Sequence, residues 1–200
     1  MRKMLLTALL FTILMTILTG LAYPLVITGV AKVAFPGQAG GSLVKDASGQ
    51  VVGSGLIGQS FTTSKGAPLP RYFQPRPSAG AYDAMASGAA NLGPTNPALL
   101  KAVAQAAAAY RRLNGLAANA VLPVDAVTSS GSGLDPEISI ANARLQAARV
   151  ARARGLSVAT VDQLIAQATQ GRVLGILGEP GVNVLELNVA LDKASATKEH

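Results

Sequence analysis

The sequence predicts an α+β protein: a single N-terminal transmembrane helix followed by one small mixed α/β soluble domain. Three observations predict it. The stretch from Met4 through Ala31 holds no charged residue, and a helix needs only roughly 20 apolar residues to cross the hydrocarbon layer. Beyond it, capped helical segments are mixed with short strand-like runs, the pattern of an α+β domain. The length of 200 residues suits one such domain plus an anchor. The expected division is residues 1–34 as cytoplasmic N-terminus and transmembrane helix, and residues 35–200 as an extracytoplasmic domain.

The anchor comes first. Arg2 and Lys3 precede the charge-free run, and the positive-inside rule then keeps the N-terminus in the cytoplasm and sends the remainder across. Thr7, Thr12, Thr16 and Thr19 recur at near-helical spacing. They either face partner helices or bond back to their own helix carbonyls. Gly20, Leu21 and Ala22 offer a possible signal-cleavage site. The apolar region is much longer than the roughly 7–15 residues of a signal peptide, which favours a retained anchor.

The domain follows, with Pro36, Gly37, Gly40 and Gly41 marking the exit loop. Ser42–Lys45 and Gln50–Gly53 read as strands joined by an Asp46–Gly49 turn, and Leu56–Phe61 as a continuation of the sheet. Thr62–Pro97 is rich in Pro, Gly, Ser and Asn. It reads as a long contact loop in which Tyr72, Phe73, Arg71 and Arg76 serve an interface or the aromatic pair fills the core. Asn96 and Pro97 start a helix over Ala98–Leu113 that Asn114 and Gly115 end. Val121–Thr128 reads as a strand, Ser129–Gly133 as a flexible segment, Ala141–Arg154 as a second helix stopped by Gly155, and Val158–Ala168 as a third behind Ser157. Leu185, Leu187, Val189 and Leu191 alternate with Glu186, Asn188 and Ala190, which predicts a final strand.

The chemistry that composition excludes is broad. No cysteine is present, and the single histidine is His200, so thiolate metal sites, cysteine nucleophiles and a serine–histidine pair inside the domain all fall away. No metal site and no catalytic residue is predicted. Gly53, Gly55 and Gly58 suggest a phosphate loop only weakly, because Gln59 and Ser60 stand where Lys and Ser or Thr belong. Asp135 and Glu137 precede a helix, where acids meet its N-terminal dipole. Arg144, Arg149, Arg152 and Arg154 give the second helix a basic, solvated face, or a docking surface for an acidic partner. The net charge of +7 includes Arg2, Lys3 and Lys32 beside the anchor. The modest remainder, without interleaved aromatics, gives no support for nucleic-acid binding.

Several segments together resemble one family. They are LAYP at Leu21–Pro24, GLIGQSF at Gly55–Phe61, YFQPRPSA at Tyr72–Ala79 and NLGPTNP at Asn91–Pro97. Further on come LPVDAVTSSGSGLDP at Leu122–Pro136, ARVARARGL at Ala148–Leu156 and GRVLGILGEPGVNVLELNVAL at Gly171–Leu191. Their order and the single N-terminal span resemble KdpC, the C subunit of the Kdp potassium-transporting P-type ATPase. The family pattern has histidine after LDP and proline after the following IS, where this chain has Glu137 and Ile140. A role resting on that histidine does not transfer.

The resemblance implies a non-catalytic accessory subunit of a high-affinity ATP-driven potassium uptake complex in the bacterial inner membrane. Its implied partners are the potassium-selective subunit KdpA, the ATP-hydrolysing subunit KdpB and the small single-span subunit KdpF. It also implies ATP as a ligand, with Gln59 as the nucleotide contact of a catalytic chaperone, or alternatively a stabilising cap over the potassium-selective subunit. If the domain lies outside the cytoplasm, Gln59 cannot reach cytoplasmic ATP, so assembly and capping are the expected mechanism. A different class of function, a stand-alone anchored solute-binding or sensor module, would need a pocket with convergent polar groups. A stand-alone envelope hydrolase lacks the histidine.

Overall fold

The computed structural model describes residues 1–196; His200 lies outside them. The chain forms two compact units, Met1–Leu43 and one that begins at Val44.

In the first unit, α1 (Arg2–Ile17), a π-helical turn (Leu18–Ala22) and α2 (Tyr23–Ala34) run on as one 33-residue helix with no buried residue, within which an 18-residue stretch has mean hydropathy 2.3. At 1.5 Å per residue it is about 50 Å long, ample for the membrane's hydrocarbon layer. The π turn has a local cause. Pro24 carries no N–H and its ring would strike the carbonyl four residues back; the Tyr23 N–H instead reaches the Leu18 carbonyl, widening the turn. The Thr16 and Thr19 hydroxyls donate to the carbonyls of Thr12 and Met15, at 2.8 and 2.6 Å. A single turn, α3 (Pro36–Ala39), follows Phe35.

From the last residue of the first unit the chain enters the hairpin of β1 (Leu43–Lys45) and β2 (Val51–Ser54). Its turn is held by the Asp46 carboxylate, which accepts from the Ser48 N–H and hydroxyl and from the Gln50 N–H. Gly49 supplies the positive φ. Leu56–Phe61 adds no strand; the chain instead runs without regular structure to Asn96, apart from a bridge between Thr62 and Pro68. Then α4 (Pro97–Asn114) starts under the Asn96 side chain, which accepts from the Ala98 N–H, and ends at left-handed Gly115.

Val121–Thr128 is not a strand. Val121 and Val124 are 90% and 72% exposed, so the run has no apolar face to bury, and Pro123 leads into a 3₁₀ turn at Val124–Ala126. That turn carries Asp125, which accepts from the Ser139 N–H, the Ser139 hydroxyl and the Asn142 side-chain amide at 2.8–2.9 Å. Asp125 therefore serves the start of α5 (Ile140–Arg154), the place the sequence assigned to Asp135 and Glu137. Asp135 pairs with Arg76 at 2.9 Å, and Glu137 opens β3 (Glu137–Ser139).

After α5 come α6 (Val158–Gln167), capped by Ser157, β4 (Thr169–Gln170), β5 (Gly181–Asn183) and α7 (Val184–Ala196). The three strands form an antiparallel sheet ordered β3-β5-β4, with Ile138 opposite Val182 and Val182 opposite Thr169. The predicted final strand is thus α7. Its buried residues Val184, Leu185, Leu187, Asn188 and Leu191 follow the three- and four-residue steps of a helix face, and Asn183 caps it by accepting from the Glu186 N–H at 3.1 Å. The core lies among α5, α6, α7 and the sheet: Ala143, Ala147, Val150, Val161, Ile165, Val182, Leu187 and Leu191, closed by Phe73 from the long loop.

Candidate functional site

The long loop is attached to the core by side chains that supply the backbone partners its irregular path lacks. Phe73 is fully buried, and Asn188 on α7 brackets it: its carbonyl oxygen accepts from the Phe73 N–H at 2.9 Å, and its amide donates to the Phe73 carbonyl at 3.0 Å. Gln146 on α5 treats Gln74 in the same reciprocal way. Arg149 donates to the carbonyls of Pro70 and Tyr72, to Asn114 on α4 and to Gln146. Burial pulls the guanidinium down to about 10, countered in part by Tyr110, since every acceptor it meets is neutral.

The basic face predicted for α5 is therefore divided. Arg144 and Arg152 are exposed, while Arg149 is buried and the Arg154 side chain is 1% exposed, donating to Asp192 at 2.9 Å and to Ser195. Arg154 also lies over the Tyr72 ring, 4.8 Å from its centroid, with Arg71 at 5.4 Å. Of the loop aromatics, Phe73 goes into the core, and Tyr72 packs on Phe61 with centroids 5.3 Å apart while its hydroxyl donates to Asp192.

Ser129–Gly133 is knitted to the same loop. The Gly88 N–H donates to the Ser132 carbonyl, and the Ser78 hydroxyl to the Gly133 carbonyl. Gly133 has φ +68 and sits where a Cβ would meet the Gly88 carbonyl at 2.7 Å, so both its conformation and its space demand glycine.

Gln59 stands at the junction of these parts, half-buried beside Gly58. A Cβ on Gly53 would approach the Gln59 oxygen to 3.2 Å and Leu185 to 2.8 Å, and one on Gly58 would meet the Asp135 carbonyl at 2.5 Å. The glycines of GLIGQSF and of the strand before it thus allow backbone to close on side chain. This is packing, and no helix N-terminus cradles a phosphate there.

Gln59 also lines a cleft of about 340 Å³ with Asp46, Val52, Phe61, Tyr72, Leu185 and Asp192. Both charged residues of the lining are carboxylates. Hydrogen bonding, first from the Ser48 hydroxyl, holds Asp46 below the usual carboxylate range, so it is an anion at neutral pH. Arg154 and Arg71 are already directed at Asp192. A triphosphate placed beside Gln59 would face the Asp46 anion and an Asp192 already paired with arginine, and no cation stands among the described lining residues to receive it.

On the far side of the loop, Arg76, Asp125, Asp135, Glu137 and Glu179 line a second recess. Burial, then the charges of Asp135 and Glu186, push the Glu137 carboxyl up. Among the described residues no group of three or more His, Asp or Glu is placed to hold a metal. Sequence reasoning missed Asp125, Gln146, Asn188 and Asp192. The available signals were the S139-x-x-N142 and N183-x-x-E186 capping patterns.

Comparison with known proteins agrees across the chain. The family model described as KdpC, the K⁺-transporting ATPase c chain, matches residues 5–193. The potassium-transporting ATPase KdpC subunit of Mycobacterium tuberculosis is 53% identical over 195 residues, covering 96% of this chain and 100% of that protein. The KdpC subunit of a Caulobacter species is 56% identical over 181 residues, 90% of this chain and 88% of its own. That of Gloeobacter violaceus is 53% identical over 186 residues, 93% and 94% respectively. With the family match spanning both the apolar helix and the domain, this chain belongs to the KdpC family, the c chain of the K⁺-transporting ATPase.

Proposed function

We propose that this chain acts as an accessory subunit that stabilises the assembled potassium pump from outside the cytoplasm, and that it does so without delivering ATP. Helix Arg2–Ala34 is its anchor in the bacterial inner membrane, with the N-terminus cytoplasmic and the domain extracytoplasmic. Its partners are the potassium-selective subunit KdpA, the ATP-hydrolysing subunit KdpB and the single-span subunit KdpF. The observation that carries the reading is Arg2 and Lys3 standing directly before an uncharged helix with no residue buried within the chain. Its whole apolar surface is available to lipid and partner helices. The acidic lining of the Gln59 cleft supports the same reading. A solute-binding role gains little from that cleft, since Asn188 is committed to Phe73 and Asp192 to Arg154 and Tyr72.

The test uses the absence of native cysteine. Val121, 90% exposed, is replaced by cysteine in the full chain coexpressed with the pump. A membrane-impermeant maleimide is expected to label it in intact spheroplasts. Labelling confined to inverted vesicles would refute the orientation and the capping role with it.

A further inference from the structure

Between β4 and β5 the chain makes an excursion that the core does not use. Over Arg172–Glu179 the backbone folds on itself: the Val173 and Leu177 N–H groups donate to each other's carbonyls at 2.9 and 3.0 Å, and the Gly175 N–H donates to the Arg172 carbonyl. Arg172 meets both oxygens of Glu179 at 2.8 and 2.9 Å across the base. Gly175 and Gly178 take positive φ, and so does Leu174 at +54°, a conformation that costs a non-glycine residue about 1–2 kcal/mol. The result is a self-bonded finger. At its tip Val173, Leu174, Ile176 and Leu177 are 65%, 85%, 75% and 58% exposed. Soluble surfaces carry isolated apolar residues, and contiguous ones mark contact sites.

We propose that this finger is a docking plug whose aliphatic tip seats in an apolar cleft on another protein subunit of the K⁺-transporting ATPase; the proposal rests on the accessory-subunit reading above. Charge and shape select a protein rather than lipid. The tip has no aromatic residue, its one basic neighbour is tied to Glu179, and the Glu179 side chain is 82% exposed. Bilayer surfaces rich in anionic lipid favour Lys, Arg, Trp and Tyr and repel carboxylates. A finger held by its own hydrogen bonds and a left-handed leucine is fixed before contact, which benefits binding to a matched cleft. Fluid lipid requires no such shape.

The chain has no cysteine, so Ile176→Cys, labelled on the purified chain with an environment-sensitive fluorophore before reassembly with the pump, reports on the tip alone. Expected is a blue shift of its emission in the assembled pump, relative to the full chain purified by itself in the same detergent. The double substitution Leu174→Asp with Ile176→Asp is expected to lose about tenfold in competition with wild type for retention in the pump, as truncated hot spots do. The melting temperature of the chain alone should stay unchanged, because the tip is exposed. An unshifted spectrum in the pump overturns the proposal. A shift already present for the chain alone in phosphatidylcholine–phosphatidylglycerol vesicles also overturns it by assigning the tip to lipid, and one that grows with the concentration of the chain alone does so by assigning it to a second copy. If the unsubstituted chain fails to copurify with any pump subunit, the accessory-subunit reading itself falls and takes this proposal with it.

Discussion

At position 137 a carboxylate occupies a crowded place. Glu137 opens β3 opposite Asn183, and its carboxylate fills the space that a Cβ on Gly181 would claim. Burial, then Asp135 and Glu186, raise its pKa above the ordinary 4.5. The folded state therefore prefers the protonated acid. Stability from this group is unimpaired below 4.5 and declines as pH rises from there through the raised folded value. Glu137→Gln is expected to raise the melting temperature at neutral pH, with the difference vanishing below the ordinary value. A pH series of melts on both proteins measures it, and a constant difference at all pH values would contradict the assignment. None of this was legible in the sequence, where Asp135 and Glu137 looked like a pair at a helix N-terminus. The true partner of that helix start is Asp125, on a turn inside Val121–Thr128, a run that reads as a strand although Pro123 argues against a central one.

Helices α4, α5 and α6 were legible because at least one end of each is marked. Asn96 and Ser157 accept from backbone N–H groups at the N-termini of α4 and α6, and Gly115 and Gly155 close α4 and α5 in left-handed conformation. The hairpin of β1 and β2 was legible through Asp46–Gly49. Helix α7 was not, because leucines at 185, 187 and 191 imitate a two-residue repeat over a short window, while the helical steps 184, 187, 188 and 191 include Asn188. A buried asparagine is polar by composition, and only its two bonds to Phe73 account for its burial. The long loop was legible as a loop, but what holds it was hidden in the basic run of α5. Arg149→Ala removes the donor serving Pro70, Tyr72, Asn114 and Gln146. It is expected to cost about 3 kcal/mol, since buried acceptors lose a charged partner. Urea unfolding in mild detergent gives the loss, and hydrogen exchange should show faster exchange at 71–74. A loss under about 0.5 kcal/mol, typical of surface changes, with exchange unaltered would mean that the loop is secured elsewhere.

For the molecule as a whole, family membership was readable from ordered motifs, whereas the meaning of those motifs came from packing. Gln59 is the sharpest instance, because its side chain packs over Gly53 and the charged residues lining its cleft are the carboxylates Asp46 and Asp192. Gln59→Ala in the intact pump is expected to leave the KM for ATP unchanged and to lower the domain's stability by about 1 kcal/mol, as loss of a half-buried side chain does. A large rise in KM with an unaltered melt would reverse that view. The order of the sheet has a further consequence. The strand between β3 and β4 is β5, and it runs directly into α7, so the middle of the sheet and the helix beneath it leave the ribosome after both flanking strands. A nascent chain stalled between residues 171 and 180 holds two strands with a gap between them and no lid on its greasy interior. Such a fragment cannot complete its core, so it is expected to be cleaved faster than the finished domain.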